Sequence, residues 1–233
     1  MPKSFDYVIE HMEEDDEQTK ALPRWVELEY AHMLTLIGPS SRLRFTSLSA
    51  SSIPALRSSL AHHPESGKAH AHTEPIMSLV DTSSSASASA SAPASSTDKI
   101  AFSRVCLLDP RATKVLAPED AEIFDCFLYG GILGDDPPRD RTAELRKLGF
   151  EGRHLGPKQM TTDTAVGVTK KVVEDGIELD EIPYIDFPTI SFNKKESIEM
   201  PFRYVSDDKG EPILPPGMKE HLKADLDRTI DEF

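Results

Sequence analysis

Along this chain, apolar and polar positions fall into blocks of two kinds. Short apolar runs, too brief for helices, read as buried strands. They occupy residues 5–12 (FDYVIEHM), 43–48, 105–108 (VCLL) and 126–129 (CFLY), with shorter ones at 152–155 and 182–187. Between them lie segments with the i, i+3, i+4 spacing of an amphipathic helix. Residues 25–37 (WVELEYAHMLTLI) place Trp25, Leu28, Met33 and Leu36 on one stripe, widened by Val26, Tyr30 and Ile37 and stopped by Gly38 and Pro39. Residues 118–124 open with a proline and then acids, as a helix start should. Residues 141–148 form another helix ended by Gly149. Residues 162–175 form a further one, capped by Thr161 or Thr162 and stopped by Gly176. Residues 189–205 read as an extended excursion and 218–233 as a charged, amphipathic C-terminal helix. A strand, helix, strand beginning defaults to a right-handed crossover onto a parallel sheet. The expected class is α/β, a mostly parallel sheet flanked by helices.

One stretch breaks the pattern. Character changes at about 49–98, and residues 81–98 (DTSSSASASASAPASSTD) are almost wholly Ser, Ala and Thr. So little apolar area does not offset the entropy of ordering, and the stretch reads as a disordered surface insertion in a single domain spanning 1–233. His62, His63, His70 and His72 lie on its approach. They have no cysteine or acidic partners at ligand spacing, so no metal site is expected.

Composition narrows the function. Forty acidic against 26 basic residues give a net charge of −14. That argues against a wide face gripping nucleic acid phosphates, and suits either solubility or a partner carrying positive charge. Cys106 and Cys126 both fall inside predicted strands, which reads as two buried thiols rather than a disulfide. The N-terminus shows no signal core or arginine-rich transit pattern, and nothing approaches the apolar length of a membrane span. The expectation is a cytoplasmic protein, with the nucleus left open.

Candidate chemistry concentrates in three turns between residues 105 and 165. The first follows strand 105–108 at Leu108, Asp109 and Pro110. The second follows strand 126–129 and holds Gly130, Gly131, Ile132, Leu133, Gly134, Asp135 and Asp136. The third holds Leu155, Gly156, Gln159, Met160, Thr161 and Thr162. Open parallel sheets place ligands at the carboxyl ends of their strands, and glycines there let backbone come close to a small molecule. A cofactor pocket built of three adjacent loops follows. The fingerprint is not that of a dinucleotide site, because G-G-x-x-G opens into Asp-Asp-Pro-Pro rather than a helix N-terminus. The P-loop is absent, as is the acidic residue before G-x-G of the usual methyltransferase. Taken alone, G-G-x-x-G marks tight turns more often than cofactor sites.

Longer strings carry a resemblance. VCLLDPRAT at 105–113, GGILGDDPPRDRT at 130–142 and KQMTTDTA at 158–165 resemble the fungal SPOUT-superfamily protein arginine methyltransferase, which acts on a small-subunit ribosomal protein. IEHMEE at 9–14, EMPFRYV at 199–205 and PILPPGM at 212–218 are similar to it too, in the same order. The likeness covers most of the chain outside 49–98, an insertion that departs from the family pattern.

The resemblance implies an α/β domain with a deep C-terminal trefoil knot. It also implies S-adenosylmethionine bound bent in the three loops, with S-adenosylhomocysteine as product. Carried over residue by residue, it places Leu108, Asp109, Pro110, Gly130, Gly131, Ile132, Leu133, Gly134, Leu155, Gly156, Gln159, Met160, Thr161 and Thr162 around the cofactor. A monomer monomethylating an arginine of a basic ribosomal protein is implied. An arginine acceptor stays protonated in water, so carboxylates must hold its planar fork and take a proton as the bond forms. Asp135 is the preferred acid-base or orienting group, with Glu10 and Glu13 gripping the guanidinium. Arg139 would lie beside the cofactor carboxylate and Arg203 along the substrate side. Each has a plainer reading. Asp135 also suits a turn cap, Arg139 a bridge to Asp136 or Asp140, Glu13 a solvated acidic run, and Asp163 a partner for a helix dipole. A SPOUT-type RNA methyltransferase and a non-catalytic ribosome-assembly factor stand as alternatives.

Overall fold

Strand β1, Asp6–Glu10, is buried along its whole length and carries a parallel strand on either side. The computed structural model describes residues 3–12, 14–15, 22–82, 99–131, 140 and 142–231, with the backbone alone for 228–231. After β1 come α1 (Arg24–Leu36), β2 (Arg42–Thr46), α2 (Ser52–Leu60), β3 (Ala69–Ala71) and a two-residue β4 (Val80–Asp81). Then follow β5 (Ile100–Ala101), β6 (Val105–Leu108), α3 (Asp120–Ile123), β7 (Cys126–Gly130), α4 (Thr142–Arg146), β8 (Glu151–Arg153) and α5 (Thr162–Val173). The chain finishes with β9 (Tyr184–Asp186), β10 (Thr189–Ser191), β11 (Ser197–Glu199), β12 (Arg203–Val205) and α6 (Met218–Asp231).

Six strands form one sheet in the order β3-β2-β1-β7-β6-β8. Every pairing in it is parallel, as the α/β reading expected. The side-chain period of two sorts its residues cleanly. Tyr7, Ile9, Leu43, Phe45, Cys106, Leu108, Phe127 and Tyr129 join the core that takes in α1, α2 and α5. Val8, Val105, Leu107, Cys126 and Leu128 join the opposite core, with Leu145 of α4 and Ile76, Val80 and Ile100. Burial on both faces is why the strands read as unbroken apolar runs rather than alternating ones. Both cysteines are buried and free, on opposite faces.

Two expectations are corrected. The stretch 49–98 is not disordered throughout. Residues 52–60 form α2, 69–71 add an edge strand, and Leu56, Leu60, Ile76 and Val80 are each no more than 4% exposed. The low-complexity run masked these sparse apolar anchors; its residues 83–98 lie outside the described part. The excursion at 189–205 is a hairpin, β10 with β11, followed by β12 returning antiparallel to β9.

The core is tied across layers by aromatic contacts. Tyr30 of α1 stacks on Phe45 of β2 with ring centroids 4.2 Å apart, both fully buried. Phe45→Ala should cost about 3–5 kcal/mol in urea denaturation. A cost under about 1 kcal/mol would show that this contact does not hold α1 to the sheet.

Candidate functional site

At the carboxyl ends of β6, β7 and β8 the chain encloses a cavity of about 280 Å³. Three turns make its wall. Leu108, Asp109 and Pro110 come from the first, Tyr129 and Gly130 from the second, and Leu155, Gly156, Gln159 and Met160 from the third. Thr162 and Ala165 of α5 complete one side and Thr142 of α4 another. Parallel pairing of β6 with both β7 and β8 is what brings these turns together. Gly156 turns with φ +97°, a backbone state that a side chain strains. Tyr129, Pro157 and Lys158 belong to the expected turns and line the cavity without having been assigned to the cofactor, and Thr142 and Ala165 line it from helices where nothing in their spacing sets them apart.

The lining suits an adenine nucleoside that carries a sulfur-linked amino-acid chain. Leu108, Leu155 and Met160 supply apolar surface for a flat base, and Gly130 and Gly156 keep two turns free of side chains there. Gln159, on this wall, has a buried Nε2 without a partner among the described residues. A buried amide donor is costly unless something accepts from it.

Electrostatics fasten the first turn to α4. Arg146 clasps Asp109 in two bonds, Nε to Oδ2 at 2.5 Å and Nη2 to Oδ1 at 2.7 Å. The Arg111 backbone N–H donates to the same carboxylate at 2.9 Å. Asp140 bridges Arg146 and Arg111 at 3.2 and 3.1 Å. Burial alone would push the Asp109 carboxyl up, but the bonds from Arg146 and Arg111 outweigh it and hold it below the usual aspartate range.

The third turn is fastened to α1. His32 Nδ1 lies 2.7 Å from Asp163 Oδ2, both groups buried. Glu29 accepts from the Asp163 backbone, and burial, then the Asp163 carboxylate, push its carboxyl well above the ordinary range. Asp163 thus sits in the first turn of α5, as a dipole partner would, and also holds a histidine.

Not every expected site residue reaches the cavity. Glu10 is 6% exposed and fully engaged. Thr46 Oγ1 and Ser47 Oγ each donate to it at 2.5 Å, and the Ile76 backbone N–H at 2.9 Å. The expectation that Glu10 grips a guanidinium is corrected, because its carboxylate fastens β1 to β2 and to the turn at Ile76–Ser78. Gly131 continues the contact with β1, its N–H 3.0 Å from Glu10 O, where a Cβ would crowd that carbonyl at 3.2 Å. Thr161 bonds Thr164 at 2.8 Å and faces a different cavity. Arg203 donates its backbone N–H to Gln159 O at 2.8 Å, while its guanidinium pairs with both oxygens of Asp186 and lies over the Tyr184 ring. Glu13, Ile132, Leu133, Gly134, Asp135 and Arg139 lie outside the described residues.

Residues 6–229 match the family described as "Protein arginine N-methyltransferase SFM1-like". The chain belongs to this SFM1-like family. It is 40% identical over 231 residues to protein arginine N-methyltransferase SFM1 of Saccharomyces cerevisiae, a match covering 97% of this chain and 98% of the yeast protein. The crystal structure of the yeast arginine methyltransferase SFM1 complexed with SAM covers 95% of this chain and 91% of its own, with TM-score 0.75 and 39% identity. The SAH complex covers 92% and 93%, with TM-score 0.73 and 40% identity. The SFM1-like family is thus shown over nearly the whole length of the chain.

The Asp109 clasp has a measurable consequence. A carboxyl held low in the folded chain contributes fully above the ordinary aspartate range, and the contribution is lost as pH falls through the lowered value. Arg146→Ala should therefore lose about 1–3 kcal/mol near neutrality, and the gap to the parent should narrow on acidification. A gap constant from about pH 7 to about pH 3 would remove the clasp from the account.

Proposed function

We propose that this chain monomethylates an arginine of a basic small-subunit ribosomal protein, as a cytoplasmic monomer using S-adenosylmethionine. The observation that carries the reading is the cavity where three parallel strands end, with Gln159, whose amide Nε2 has no partner among the described residues, on its wall, in a chain of the SFM1-like family. Leu108, Pro110, Leu155 and Met160 would hold the nucleoside, Gln159 would donate to it, and Thr162 would close the side formed by α5. S-adenosylmethionine supplies an electrophilic methyl on a sulfonium. The chain's share is to position and to handle one proton. In the transfer a guanidinium nitrogen bonds the methyl carbon, the carbon–sulfur bond breaks to leave S-adenosylhomocysteine, and the surplus proton passes to a carboxylate and then to solvent. Asp135 is the carboxylate assigned that role, with Glu13 gripping the guanidinium and Arg139, four residues after Asp135 in sequence, beside the cofactor carboxylate. Threading of the C-terminal segment as a trefoil knot belongs to the same reading.

The net charge of −14 supports a basic protein substrate over RNA. Incubating the chain with methyl-labelled cofactor and isolated ribosomal subunits should label one small-subunit protein at arginine and leave RNA unlabelled. Label in the RNA, or none in either, overturns the reading. Gln159→Leu should weaken cofactor binding about tenfold in calorimetry, as loss of one well-placed donor does; unchanged affinity removes Gln159 from the site.

A further inference from the structure

A second cavity, of about 220 Å³, lies on the other side of the turn 159–163 and shares no lining residue with the first. Lys158, Gln159, Met160 and Thr162 face the cofactor cavity, whereas Thr161 and Asp163 face this one. Its walls come from α1, the segment 200–204, the turn 214–215 and α6. They are mostly apolar and aromatic, with Trp25, Phe202 and Tyr204 beside Met200, Met218 and Leu222.

Three of the residues that line it carry a buried polar atom with no partner among the described residues: Glu29 Oε2, Asp163 Oδ1 and the Tyr204 hydroxyl. Glu29 is 4% exposed, Asp163 1% and Tyr204 1%. Buried polar groups are nearly always satisfied, and an unsatisfied carboxylate oxygen is among the costliest to leave so. Burial and the neighbouring Asp163 carboxylate raise the cost of ionising Glu29, a cost that a cation placed beside the two would relieve. A partner that serves all three brings several N–H donors and a positive charge that favours Glu29 ionising beside Asp163, and is flat or slender enough to lie among aromatic rings. A hydrated metal ion does not fit such apolar walls. A guanidinium does: it is planar, carries five donors and stacks on aromatic faces, and its methylene stem suits methionine and leucine.

We propose that this cavity is a docking subsite for an arginine side chain of the protein substrate, distinct from the acceptor arginine. It rests on the methyltransferase reading for the identity of the partner, and on the three orphan atoms for the chemistry. The subsite would give a chain with net charge −14 a specific place to hold an arginine of a basic protein. It would also couple substrate to cofactor, because a cation drawn to Asp163 acts at the start of α5, whose next residues line the first cavity.

Trp25 is the single tryptophan of the chain and lines this cavity, so its fluorescence reports occupancy directly. Titrating the full chain with acetyl-arginine amide should change that emission saturably, while the neutral citrulline counterpart should leave it unchanged. Glu29→Gln keeps an acceptor for the Asp163 backbone but cannot ionise when a cation enters, and should weaken the response at least tenfold. Leu222→Phe fills the half-buried rim without altering charge, and should do the same if Glu29→Gln folds poorly. In methyl transfer, both variants should raise KM for the basic protein at least tenfold, with kcat and cofactor affinity within about twofold. Equal responses to arginine and citrulline, or variants titrating like the parent, overturn the subsite. Failure of the parent to methylate any protein, with the charge-selective response intact, would fail the methyltransferase reading alone.

Discussion

Helix α5 is clamped at both ends, and the geometry of both cavities depends on it. At its start, Asp163 holds His32 of α1 at 2.7 Å. Just beyond its end, Glu174 accepts from the Tyr7 hydroxyl of β1 at 2.6 Å and from Ser41 at 3.1 Å. Between the clamps Gly167 lies against Leu36, where even a Cβ would come within 3.2 Å of that side chain. Glycine there lets the two helices come close, and a Cβ would oblige the Leu36 side chain to give way by a few tenths of an ångström. With α5 fixed, Thr162 and Ala165 must face the cofactor cavity and Thr161 and Asp163 the other.

Charge in this molecule works mostly inward. Arg44 pairs with Asp6, Arg104 with Asp125, Arg146 with Asp109, Arg153 with Asp120 and Arg203 with Asp186. Each pair crosses between elements, and several are bidentate, the geometry in which arginine matches a carboxylate best. A net acidic balance is therefore a poor guide to where a basic partner would be held. What matters is which carboxylates keep an oxygen unspent, and Glu10, with three donors, does not belong among them.

Much of the architecture was legible because it rests on local signals. Unbroken apolar runs at 105–108 and 126–129 announced strands covered on both faces, and the stripe of Trp25, Leu28, Met33 and Leu36 announced α1. Glycine at 176, with φ +70°, ended α5 where a left-handed turn was expected. The segment 52–82 was not legible. Ile53, Leu56 and Leu60 do keep helical spacing, but too briefly to stand out beside the low-complexity run, and with Ile76 and Val80 they are ordered by a sheet edge and a core supplied from elsewhere in the chain.

The amino-acid sequence by itself determined the element types, the three turns that end at one side of the sheet, and the family strings that run through them. Those properties depend on near neighbours along the chain, where periodicity and turn chemistry act. Tertiary structure alone decided that Glu10 is consumed by Thr46, Ser47 and Ile76, that Asp109 is clasped from α4, and that Glu29, Asp163 and Tyr204 share one cavity. The physical reason is that a side chain's chemistry follows from who else is buried beside it, and those partners are brought together only by the crossovers of a parallel sheet and the packing of α1 against α5.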